Sequence, residues 1–130
     1  MAVLLIQPSV VDSTKDYTFN SVTVATNVVY GVTTGISAAG TVQANATALT
    51  TDFNVVSTVV AGAGVVLPVE AGIRMAIINT SANALLVYPG TSGIINSQAA
   101  NAAYSMPAGG KLDFLSTTTT QWYTLNATYN

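Results

Sequence analysis

A chain of 130 residues is one domain's length, enough to bury about two-thirds of its unfolded surface around a single core. Half of it is hydrophobic and only 6% is charged, so solubility rests on neutral polar residues, and the surface lacks the self-repulsion that keeps monomers apart. Net charge −2, with Lys15, Arg74 and Lys111 scattered, argues against nucleic acid, and the lack of Cys and His removes disulfides, thiolate chemistry, zinc-finger patterns and the commonest general base.

The chain opens with MAVLLIQP. Its apolar run, Ala2 to Ile6, has no basic flank and stops at Pro8, too short for a signal-peptide core or a membrane span. It is expected to be a strand or a docking arm, in a soluble chain made without export and with no membrane partner. Next, DSTKD at 12–16 gathers Asp12, Ser13 and Asp16, but the glycine and terminal glutamate of a calcium loop are missing. A polar turn is the expectation, with no metal and no cofactor. Beyond it run short stretches rich in Val, Ile, Thr and Tyr, punctuated by Gly, Pro and Asn. Strands are predicted near 2–7, 22–25, 28–33, 55–60, 65–68, 73–79, 84–88, 111–116 and 121–125. Val42, Ala46, Leu49 and Phe53 stand at helical spacing and allow a helix over 43–52, but the Thr- and Ala-rich texture favours extended structure. The fold class is all-β: a β-sandwich, jelly-roll-like, with short strands and Gly/Pro turns. Residues 1–40 are either an N-terminal arm or the first strands of the sandwich; 41–130 form the module proper, in one compact domain overall.

The turns have mechanisms. Pro68 fixes φ and Gly72 permits a positive φ, reversing the chain between two strands. Pro107 with Gly109 and Gly110 does the same, and Pro89 ends a strand at Tyr88. Between them, AIINTSANALLVYPG at 76–90 reads as a hairpin, two apolar strands about a small polar loop. Alternation puts Ile73, Met75 and Ile77 on one face and Arg74, Ala76 and Ile78 on the other; Leu85 and Val87 oppose Leu86 and Tyr88. Apolar groups on both faces call for a second covering layer, either the rest of the chain or another subunit, and the scarcity of charge favours another subunit.

Catalytic candidates are sparse. Lys15 and Lys111 lie in no Ser–Lys motif, and Asp52, Glu70 and Asp113 are scattered acids rather than a recognisable pair. The glycines at 62 and 64 lack the helix and lysine of a phosphate loop and read as a turn. Sequons at Asn45, Asn79 and Asn126 fit chance in an Asn- and Thr-rich chain. No enzyme is expected. The aromatic residues carry more: Trp122 and Tyr123 take opposite faces of one strand, so one belongs to the core and the other to a surface. Tyr88 and Tyr104 sit at loop edges. Tyr88, Tyr104, Trp122 and Tyr123 are the candidates for interface or glycan contact.

From Val42 to Leu125 there follow ALTTDFNVVSTVVAGAGVVLP, then Gly72 with IRMAIINTSANALLVYPGTSGIIN, then YSMPAGGKLDFLSTTTTQWYTL. This ordered series resembles a module of tailed-bacteriophage virion proteins, seen in capsid decoration (cement) proteins and fibres. The resemblance implies a homotrimer on the capsid exterior in the virion, made in the host cytoplasm and stabilising contacts between major capsid protein subunits. The alternative it carries is a fibre or receptor-binding module for a cell-surface glycan. It supplies no catalytic residues.

Overall fold

A computed structural model describes residues 28–125. The strands expected at 2–7 and 22–25, the DSTKD turn, Lys15 and the Asn126 sequon lie outside the described residues. The rest is an all-β fold of ten strands in two sheets. The strands are β1 (Val32–Ala38), β2 (Thr47–Ala48), β3 (Phe53–Val59), β4 (Gly64–Val66), β5 (Arg74–Asn79), β6 (Leu85–Tyr88), β7 (Ile94–Ile95), β8 (Tyr104–Met106), β9 (Lys111–Ser116) and β10 (Gln121–Leu125). Between β1 and β2 a single turn of 3-10 helix, Gln43–Asn45, stands where the longer helix was weighed; the extended reading of that region holds. Among the described residues, no helix is long and apolar enough to cross a membrane.

The connectivity differs from a jelly roll. The six-stranded sheet has the order β1-β3-β5-β9-β10-β7 and the four-stranded sheet β2-β4-β6-β8. From β1 to β6 the chain changes sheet at every connection, and each strand pairs in parallel with the strand two along. Phe53 stands opposite Val32 of the preceding coil and Ala76 of the following one. Three coils of arched strands therefore stack, and parallel ladders replace the antiparallel Greek-key pairing of a jelly roll. The hairpin expected at 76–90 is an arch for the same reason: β5 lies in one sheet and β6 in the other. The last strands close the stack. β8 pairs antiparallel with β6, and β9 lies antiparallel between β5 and β10.

Asn79 steers the arch. Fully buried at the end of β5, its side-chain amide donates to the carbonyls of Asn83 (2.9 Å) and Pro107 (3.1 Å). Its carbonyl oxygen accepts from the backbone and hydroxyl of Ser81 at 3.1 and 2.8 Å. Every polar atom of the side chain is paired, so the turn is held without leaving a buried amide unsatisfied. Those bonds also occupy the Asn79 sequon; the Asn45 sequon is exposed. At the return connection from β4 to β5, Gly72 takes φ +76°, the left-handed turn that its sequence position called for.

One core lies between the sheets. Val56, Met75, Ile77, Phe114 and Trp122 come from the larger sheet, and Val65, Leu85, Val87 and Met106 from the smaller. Met75 and Ile77 point inward with Ile73 packed at the margin, and Leu85 and Val87 share the inner face, as alternation requires.

Candidate functional site

The four aromatic candidates separate by burial. Trp122 is 0% exposed in the centre of the core, and its indole N–H has no protein partner. It is a packing residue, not a surface contact, because its strand alternates and turns it inward. Tyr88 is also buried. Its ring rests on Gly64, and its hydroxyl donates to the Thr41 carbonyl at 3.0 Å. Tyr104 is half-buried, edge-on to Phe114 with ring centroids 5.9 Å apart. Only Tyr123 faces outward, 44% exposed.

The two sheets treat their outer faces differently. Over the smaller sheet, the chain covers itself. Gln43 in the 3-10 turn donates to the carbonyls of Pro89 (2.6 Å) and Gly90 (3.0 Å), just beyond β6, and Thr41 takes the Tyr88 hydroxyl. That accounts for a buried Tyr88 on the side of β6 opposite Leu85 and Val87.

Over the larger sheet, no such cover exists among the described residues. Cross-strand partners point to the same side of a sheet, so the registers give its outer surface row by row. One row runs Val32, Phe53, Ala76, Asp113, Leu125. A second runs Arg74, Leu115, Tyr123. A third runs Val55, Ile78, Lys111. Val32 is 62% exposed, Phe53 40% and Leu125 45%, and Tyr30 packs edge-on to Phe53 with centroids 5.4 Å apart. Eight of these eleven side chains are apolar, a denser grouping than surface Leu or Val scattered singly. Among the described residues, the covering layer that the two-faced strands called for is thus present over one sheet only.

Each row carries one charged residue, Arg74 at one end of the face, Asp113 in the middle row and Lys111 at the far end. Arg74 is hydrogen-bonded to Asp113 across the β5–β9 ladder, and that bond with the adjacent negative charge raises the guanidinium above its usual value. Two shallow hollows flank Arg74. One, about 210 Å³, is lined by residues 49–52 together with Glu70, Ile73 and Arg74. The other, about 150 Å³, is lined by Tyr30, Asp52, Phe53, Arg74 and Ala76. Asp52 is fixed by the backbone N–H of Gly31 at 2.8 Å. The fold therefore brings Asp52 to Glu70 and Arg74 around one end of β3 and β5, with Asp113 bound to Arg74 beside them; Lys111 lies at the other end of β5. Among the described residues, no three of His, Cys, Asp and Glu converge as a metal would require.

Tyr30 and Phe53 escaped the sequence reading. The reason is that a polar residue takes the inward place at the start of β3: Phe53 faces out while Asn54 is buried. Asn54 is held inside by donating to the Thr51 carbonyl (2.8 Å) and accepting from the Thr51 hydroxyl (2.9 Å). No family model, curated protein or solved structure matches this chain.

Proposed function

We propose that this chain is a structural virion protein of a tailed bacteriophage, binding the capsid exterior as a homotrimer and bracing contacts between major capsid protein subunits. The carrying observation is the largely apolar outer face of the six-stranded sheet, without cover among the described residues, on a chain with almost no charge to repel a neighbour. The ordered strand-and-turn series from Val42 to Leu125 supplies the phage context. Support by large, quiet surfaces suits such a role. Each subunit repeats one modest contact, and joining three of them multiplies it through effective concentration. The test is deletion of the gene. Particles without the protein lose heads at lower temperature and on osmotic shock; unchanged composition and resistance would end the reading.

A second reading has its own observation. Tyr30 and Phe53 present exposed rings beside Asp52 and Arg74 around one hollow, the mixture of stacking face and hydrogen-bonding groups that a sugar ring uses. In that reading the chain is a fibre or receptor-binding module for a cell-surface glycan. Binding to host envelope glycans that Phe53→Ala abolishes supports it, and failure to bind any of them removes it.

A further inference from the structure

We propose that the hollow lined by Tyr30, Asp52, Phe53, Arg74 and Ala76 is a subsite for one neutral sugar ring, and that the charges around it turn acidic sugars away. The inference rests on the glycan reading above and names the class of sugar.

The walls of the hollow suit a pyranose. The Tyr30 and Phe53 rings stand at 70° with centroids 5.4 Å apart, and the two residues are 55% and 40% exposed. Together they form an apolar corner against which the C–H face of a sugar can stack. Polar groups stand beside it. The Gly31 N–H donates to Oδ2 of Asp52 at 2.8 Å, which fixes the carboxylate while using only part of its capacity to accept from hydroxyls. The bond from Arg74 Nη2 to Asp113 engages one corner of a guanidinium that has further donors to give. Size limits the ligand. The hollow holds about 150 Å³, half of the ~300 Å³ at which small-molecule pockets begin. One ring fits, and so few atoms bind in the millimolar range.

Charge sets the class. Asp52 and Arg74 line the hollow, Asp113 sits opposite Ala76, and Glu70 lines the adjoining hollow. Three carboxylates therefore surround one guanidinium. Lys111 is paired with Ile78, four residues along β5 from Arg74, which is about 13 Å and beyond the ~8 Å screening length. Lys15 is the one remaining cationic side chain of the sequence, so carboxylates outnumber cationic side chains here whatever it pairs with. An anionic sugar is repelled and a neutral one is not.

Saturation-transfer NMR on the full chain tests this, with methyl glucoside, methyl galactoside and N-acetylglucosamine against glucuronic and N-acetylneuraminic acids. A neutral sugar is expected to bind, with the acids weaker by about tenfold. Phe53→Ala lowers affinity by about tenfold with an unchanged far-UV spectrum, and Lys111→Gln keeps the wild-type value. Glu70→Gln/Asp113→Asn narrows the gap between neutral and acidic sugars, a change that loss of packing would not produce. Titration shifts in the ring protons of Tyr30 and Phe53 need no variant. A neutral sugar that binds without moving them overturns the site and leaves the glycan reading standing. Preference for the acids overturns the class and also leaves that reading standing. Binding of longer glycans with no binding of any single sugar overturns the one-ring subsite. No binding of single sugars or of host envelope glycans overturns both.

Discussion

Tyr88 rests on Gly64. A Cβ added at Gly64 would lie 2.7 Å from Cε2 of the ring and 2.6 Å from the Leu86 carbonyl oxygen. The contact ties β4 to β6, and the Tyr88 hydroxyl extends it to the loop before β2 through the Thr41 carbonyl. Gly64→Ala forces backbone to move, so it is expected to lower stability by about 1–3 kcal/mol. Tyr88→Phe keeps the ring and loses one hydrogen bond, costing about 1 kcal/mol. Urea denaturation separates the two; a neutral Gly64→Ala would show that the coils are less tightly stacked than described.

Adjacent residues of β10 should respond in opposite ways. Trp122→Ala empties the middle of the core and is expected to cost about 3–5 kcal/mol. Tyr123→Ala removes an outward side chain and is expected to change subunit stability by under about 0.5 kcal/mol when measured at concentrations where the protein is dissociated. Thermal melts of the two variants check the pair. Equal losses would contradict the assignment of faces.

At the β5–β6 arch, Asn79→Ala leaves the Asn83 and Pro107 carbonyls without their side-chain donor and is expected to cost about 2–3 kcal/mol. Asn79→Asp is the sharper test. A buried carboxylate facing two carbonyls has its folded-state pKa raised, so the variant regains stability as pH falls and the group protonates. A variant that instead weakens on acidification would rule out this geometry.

For the natural chain, pH should matter little near neutrality. The chain has no His or Cys. Arg74 is held above its usual value by its hydrogen bond to Asp113 and that residue's charge. A raised folded-state value gives stability that is present throughout lower pH and lost only on rising through it, far above the physiological range. Denaturation midpoints are expected to be flat from about pH 6 to 9. A transition within that window would point to an ionisation that this account lacks.

Much of the strand map was legible because strand formation is signalled locally by β-branched runs and turn residues. β9 and β10 fall at the expected residues, and β3 to β6 within one or two. Pairing was not legible, since a single apolar run does not encode which distant strand it meets. The polar loop after Asn79 looks like a hairpin turn until the buried bonds of Asn79 are known. β2, β7 and β8 are two or three residues long, too short to show a period. Phe53 was hidden because polarity alone favours Phe over Asn for an inward place, whereas the hydrogen-bonded Asn54 takes it.

The central claim, a protein seated on the capsid exterior, is tested most directly by electron cryomicroscopy of virions with and without the gene. The account predicts threefold knobs on the outside of the wild-type head that vanish from the deletion particles. Identical heads, or a loss confined to the fibres, would contradict it.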